Sequence, residues 1–188
     1  MRKSHSALLV IAAIMCFSSA YSLAAINQVY KINFEWFSQY YGKYSAEKRD
    51  TNRDKWYLQD YPEQMQFGFA GNELELANLP LGQDYEKIER QNVDLNKYVL
   101  IYATLGRVHS PEYRIKIVDI AQRGNTVEVK VSINSPVKLK LNYYDSMVYS
   151  PIDVVRIERD TFPITGKLLF IFKSQDGTQL FEQYYSVE

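Results

Sequence analysis

The residues able to carry chemistry are few, and each must be weighed by type and spacing. The chain has 2 histidines and 1 cysteine. His5 and Cys16 both lie in the first seventeen residues, which leaves His109 as the only imidazole further along. One histidine without cysteines cannot assemble a zinc site of histidine and cysteine ligands. A Ser–His–Asp triad would have to use His109, and no Gly-x-Ser-x-Gly elbow is present to raise a serine towards it. Asp50-Thr51-Asn52-Arg53-Asp54 opens like a calcium loop. Lys55, however, stands where the sharp turn needs glycine, and Tyr61 where the bidentate glutamate belongs. The pairs Glu73/Glu75 and Glu86/Glu89 have spacings that acid–base work could use, but 22 acidic residues produce such spacings by chance. Glycine is sparse, and no phosphate-cradling loop occurs. These absences point away from catalysis, and no cofactor is expected.

Tyrosine is the residue in surplus, at 16, with 9 phenylalanines beside it. Aromatic side chains pair across strands and cover the pleat, so sheet packing accounts for most of them. Tyrosine also gives large contact area at low entropic cost, which suits interfaces. On that ground Tyr143, Tyr144 and Tyr149 are candidate partner-binding residues. So are Arg107, His109 and Tyr113, in and beside the loop from Arg107 to Glu112.

The elements that must position these residues are strands. Tyr98 to Thr104 is a continuous apolar run, β-branched and aromatic, and too short for a typical helix. Tyr113 to Ile117 and Val127 to Ile133 alternate apolar with polar, and Arg123-Gly124-Asn125 turns between them. One buried strand and a hairpin are therefore expected as a core sheet. Tyr30 to Trp36 alternates as a strand with one buried face. Gln39 to Ser45 reads as a turn around Gly42, and Ala46 to Leu58 as the one weakly helical stretch. Met65 to Phe69 reads as a short strand ending near Gly71. Gly82 to Asn96 reads as a polar connection.

Beyond the hairpin, Ser135-Pro136 breaks the strand and Val137 to Leu141 alternates again. Asn142 to Ser150 reads as irregular, and Pro151 as the first residue of a strand running to Ile157. Leu168 to Phe172 is expected to be buried on both faces. Asp176-Gly177 suits a two-residue hairpin turn that sets Phe172 opposite Phe181. Seven to nine short strands with at most one short helix predict an all-β fold, an antiparallel β-sandwich or open barrel.

The first residues read as an address. Met1-Arg2-Lys3-Ser4-His5-Ser6 is basic, and Ala7 to Phe17 is unbroken and apolar. As a helix that run would be roughly 16 Å long, against about 30 Å for a bilayer core. It fits a secretory signal peptide over residues 1–24, cleaved after Ser22-Leu23-Ala24. Residues 25–188 then form a single domain, large enough to hold a core without disulfides. No later stretch is long and apolar enough to span a membrane. An exported chain left without cysteine fits a bacterial periplasm or cell envelope. The 22 basic and 22 acidic residues are interspersed with no basic stripe, which argues against nucleic acid as a partner.

The same residues resemble the PrcB-like family, named for a subunit of a bacterial surface protease complex. The resemblance runs from about Ile32 to Phe172. It rests on Phe34-Glu35, Tyr44-Ser45, Asp54-Lys55-Trp56, and the segment Val93-Asp94 to Ile101 followed by Gly106. Tyr113 and Ile115 match a Gly-Gly-Tyr-x-Ile element whose two glycines are absent here. Ser135-Pro136 and Ser150-Pro151 to Ile157 match later turns. The resemblance implies an exported, non-catalytic subunit that associates with or stabilises another envelope or secreted protein. The rival expectation is a small-ligand or glycan-binding β module that uses surface tyrosines as stacking platforms.

Overall fold

A computed structural model describes residues 28–45, 63–80, 93–108, 110, 112–135 and 147–188. Among them are nine strands: β1 Val29–Lys31, β2 Glu35–Ser45, β3 Gln66–Ala70, β4 Tyr98–Thr104, β5 Arg114–Arg123, β6 Thr126–Asn134, β7 Met147–Glu158, β8 Gly166–Ser174 and β9 Gln179–Val187. One short helix, α1, covers Glu73–Ala77, and a 3₁₀ turn covers Arg159–Thr161. The strands form a five-stranded sheet, β1-β5-β6-β8-β9, and a four-stranded sheet, β2-β7-β4-β3. The fold is the all-β sandwich that the alternating pattern predicts.

The two sheets enclose one core. Ile117, Val129, Phe170 and Phe172 enter from the larger sheet, and Ile101 and Val155 from the smaller. The outward face of the smaller sheet carries a second apolar cluster, in which Leu76 and Leu79 cover Leu100, Ile152 and Val154. The four-stranded sheet is thus apolar on both faces in its middle. That is why β4 reads as a continuous apolar run. Its neighbour β7 shares the pattern from Ile152 to Ile157, except for Asp153 and Arg156.

Several expectations are corrected. The strand expected over Tyr30 to Trp36 is divided between the sheets. β1 pairs with β5, the chain crosses at 32–34, and β2 begins at Glu35. Ile32 and Phe34 still face the core during the crossing, so alternation in the sequence hides the break. Gln39 to Ser45 is strand, not turn, because β7 pairs with it throughout and Gly42 lies opposite Ser150. The buried strand and the hairpin do not share a sheet: β4 belongs to one layer and β5–β6 to the other. β7 begins at Met147, so the stretch before Ser150 is partly strand, and Pro151 is interior to β7. Pro151 is tolerated there because it lies one residue past the last β4 partner, and its carbonyl accepts the Leu105 N–H at 3.1 Å and the Thr104 hydroxyl at 3.0 Å.

Leu168 to Phe172 is buried on one face only, since Leu169 and Ile171 point to the half-open side of the outer sheet. Phe172 does face Phe181, but the turn between them is longer than two residues. Ser174 N–H bonds to Thr178 O at 2.9 Å, and Gly177 takes φ 88. A register shift after Phe172 absorbs the extra residue. The pairing is antiparallel throughout except for β6 with β8, which is parallel. The helical expectation over Ala46 to Leu58 and the strand over Val137 to Leu141 lie outside the described residues, as does the leader over residues 1–24. Among the described residues no helix is long and apolar enough to cross a membrane.

Candidate functional site

The two sheets meet along two seams, and one of them holds a cavity of about 290 Å³. It lies where the open edge of β3 faces the open edge of β9. In Gln66-Phe67-Gly68-Phe69-Ala70, alternation sends Phe67 and Phe69 inward and leaves Gly68 on the outward face. Across the ladder Gly68 faces Tyr102, whose ring lies over it. A Cβ at Gly68 would come within 2.7 Å of the Tyr102 ring and hydroxyl. The missing side chain thus gives the tyrosine its seat and keeps the groove open. Glu75 and Leu74 of α1, with Gln183 and Tyr185 of β9, complete the walls.

A hydrogen-bonded cluster fixes Glu75. Asn72 caps α1, its side-chain oxygen accepting the Glu75 N–H at 2.9 Å. Glu75 Oε2 accepts both the Gly71 N–H and the Tyr185 hydroxyl, each at 2.8 Å. Arg159 lies beside Tyr185 on the same side of Gly71, interacts with its hydroxyl, and donates to the backbone oxygens of Gly71 at 2.8 Å, Leu95 at 3.2 Å and Glu188 at 3.3 Å. A Cβ at residue 71 would meet the Tyr185 hydroxyl and the Arg159 guanidinium, so those two side-chain tips would have to move. Burial, and then the bond to Glu75, raises the Tyr185 phenol above its ordinary value. Burial alone raises Tyr102. Both phenols therefore stay neutral donors across the physiological range.

A second groove, of about 240 Å³, lies at the other end of the smaller sheet's outward face and is lined by Phe34, Glu35, Tyr98, Arg156 and Glu158 among others. Its charges are already matched. Arg156 donates to Glu35 Oε2 through Nε at 2.8 Å and Nη2 at 2.6 Å. Lys97 meets Glu158 at 2.8 Å, and the Tyr98 hydroxyl donates to the same carboxylate at 3.1 Å. The Lys97 bond is the main cause that holds Glu158 below the usual carboxylate range. A carboxyl kept ionised in this way is a poor proton donor. Among the described residues no group of three His, Cys, Asp or Glu side chains is arranged to hold a metal ion.

The candidate residues read from the sequence are only partly gathered. Val108 and Tyr149 exchange N–H···O bonds of 2.8 Å in both directions, which brings Arg107 alongside the start of β7. Arg107 pairs with Glu63 at 3.2 Å. Tyr149, however, is only 6% exposed, so its ring is a packing element and no platform for a partner. Tyr113 is half-buried, just before β5. His109, Tyr143 and Tyr144 lie outside the described residues. Sequence reasoning passed over Gly68, Tyr102, Tyr185 and Arg159. Their partners are 29 to 110 residues away, as with Arg159 and Glu188 or Glu75 and Tyr185, and only the fold joins them. The one local signal was an unexplained glycine between two phenylalanines, which often marks a close approach in a strand.

No protein-family model, curated protein or solved structure matches this chain.

Proposed function

We propose that this chain is an exported, non-enzymatic accessory or stabilising subunit of the PrcB-like kind. It would bind another envelope or secreted protein, and a protease complex is the setting the resemblance suggests. One observation carries the reading: among the described residues β3 and β9 are outer strands of their sheets and meet at a cavity lined by Phe67, Phe69, Tyr102 and Tyr185. Unpaired strand edges are templates for another chain. An exposed aromatic on the opposite side agrees with this. Trp36 is 52% exposed, with the Lys116 ammonium 4.0 Å over its ring. Exposed tryptophans are enriched among the residues that dominate binding energy.

Crosslinking in the native envelope, followed by mass spectrometry, tests the reading. The expected result is a recurrent protein partner, with crosslinks mapping to residues near β3 or Trp36. Recovery of the protein only as a free monomer would overturn it. The rival small-ligand or glycan reading is favoured by the presence of both Tyr102 and Tyr185 on the groove. Against it, Tyr185 is stacked on Phe69 at 4.6 Å, and its hydroxyl is committed to Glu75. The most exposed described tyrosine, Tyr184 at 60%, stands apart beside Lys167.

A further inference from the structure

We propose that the outward face of β1, β5 and β6, joined by Lys173 of β8, is a basic surface that docks on an anionic phospholipid bilayer. This goes beyond the protein-binding reading, which rests on the seam at β9, the far edge of the same sheet.

The fold creates this face, since the charges are interspersed along the chain. Over the whole sequence 22 basic and 22 acidic residues cancel. In β5 the inward residues Ile115, Ile117 and Ile120 leave Arg114, Lys116 and Arg123 outward. Register sets Lys31 of β1 beside Ala121, and Lys130 of β6 beside Asp119. Lys173 of β8 lies next to Lys130. Among the described residues these six cations share the face with two carboxylates, Asp119 and Glu128, which leaves a formal charge of +4.

Sheet energetics alone does not account for it. Lys130 and Lys173 are direct neighbours on adjacent strands, about 4.8 Å apart. Like charges set opposite one another are destabilising. The carboxylates moderate the repulsion without cancelling it. Asp119 meets Lys31 at 3.5 Å and Lys130 at 3.9 Å, and Glu128 takes Lys173. Asp119 is 31% exposed, against 76% for Lys31 and 50% for Lys130, so the positive ends stand outermost. A local rule broken at a cost is expected at a functional surface.

The character of the charges selects the occupant. Four of the six cations are lysines, spread along the strands and not gathered on one point. Lysine is depleted at protein interfaces, where the arginine fork is preferred. Lysines on flexible stems suit a diffuse layer of phosphate headgroups. β5 is about 33 Å long, so the face can lie along a bilayer. Val29 and Val118, 51% and 38% exposed, stand among the cations and are short enough to rest at headgroup level. Trp36, with the Lys116 ammonium 4.0 Å over its ring, borders the face. Tryptophan is enriched at membrane interfaces.

The test uses the protein isolated from its native cells and the same chain carrying Arg123→Gln and Lys130→Gln. Vesicles of phosphatidylcholine with about 30% phosphatidylglycerol supply the anionic surface, and pure phosphatidylcholine vesicles lack it. Co-sedimentation should find the wild-type chain on the anionic vesicles alone, released as salt rises past about 0.5 M. The double variant should bind about thirtyfold more weakly, roughly fivefold for each charge removed. Its melting temperature should not fall, because Lys130→Gln also removes a repulsion. Both chains share the same N-terminal segment, so a difference between them reports on the face. Lys97→Gln takes an equal charge from the other sheet and should barely change binding. The inference is overturned if no vesicle binds, if both kinds bind equally, or if the double variant binds like the wild type. It is also overturned if Lys97→Gln weakens binding as much as Lys130→Gln alone, since net charge would then explain the attraction. Polyglutamate and a DNA duplex are titrated beside the vesicles. Tighter binding of either, at equal charge, would give the face to an acidic protein or to nucleic acid and overturn the inference. Partner capture by crosslinking is a separate measurement, so the subunit reading stands or falls independently.

Discussion

The sandwich is closed along two seams by different physics. At the first, β1 leads directly into β2 through Ile32, whose N–H bonds to Ile120 O at 2.9 Å. The Asp153 carboxylate of β7 reaches across the sheets to accept the Ile117 N–H at 2.7 Å. That N–H borders the register shift between Ile117 and Asp119, where β5 departs from its ladder with β6. A bulge leaves a backbone group without its strand partner, and burying such a group unsatisfied is costly. Asp153, with 0% exposure, satisfies it. At the second seam, rings do the joining: Phe67 with Phe181 at 5.8 Å, Phe69 with Phe170 at 4.6 Å, and Phe69 with Tyr185 at 4.6 Å. The first seam is crossed by the chain itself and closed by a buried polar contact between the sheets. The second is closed by rings, and no backbone hydrogen bond joins β3 to β9 among the described residues.

Substitutions can break or sharpen that contrast. Phe69→Ala should have the largest effect, lowering stability by about 4 kcal/mol, because it empties the centre of the aromatic seam. Urea unfolding followed by fluorescence would measure it. Asp153→Ala should cost about 3 kcal/mol by the same assay, since it strands a buried N–H at the first seam. Asp153→Asn should cost less, because its amide oxygen can still accept. If Asp153→Ala is nearly neutral, the polar closure of the first seam is wrong. Tyr185→Phe should cost only about 1 kcal/mol, the net worth of one hydrogen bond. Equal losses from Tyr185→Phe and Phe69→Ala would mean that the second seam is polar as well.

Tyr185 also gives the second seam a response to alkali. Its folded pKa is raised above the ordinary 10.0 that the denatured chain would show. Above that value the unfolded state has lost a proton that the folded state keeps. Stability is therefore full below about pH 10 and falls as the pH rises further. In Tyr185→Phe that alkaline loss should be smaller, as tyrosinate absorbance tracked against unfolding would show. The smallest effect belongs to Trp36→Ala. The Lys116 contact is exposed and contributes about 0.5 kcal/mol, so stability should barely change while partner capture falls.

How much of this was legible in the sequence depended on the range of each interaction. The alternation of β5 and β6, the turn at Gly124, and the Phe172–Phe181 pair follow from neighbours in the chain, and they were readable. The crossing at Ile32 was not, because a chain that passes between sheets with its apolar residues still facing the core keeps the same periodicity as a strand. Gly42 misled for a related reason: glycine suggests a turn unless a partner strand holds it extended, and β7 does so. The site was less legible still. Tyr149 looked like a surface ring until the Val108 bridge drew it under the loop. The groove needs Gly68, Glu75, Tyr102 and Tyr185 together, and they are joined only by tertiary contact.

The parallel pairing of β6 with β8 also sets the order in which the molecule can be completed. Between those two strands the chain must visit the opposite layer as β7, so the larger sheet cannot zip up by adding successive hairpins. Its last two members, β8 and β9, follow residues 147–158 of the other sheet in the chain. The larger sheet is therefore complete only when nearly the whole chain, through β9, is in place.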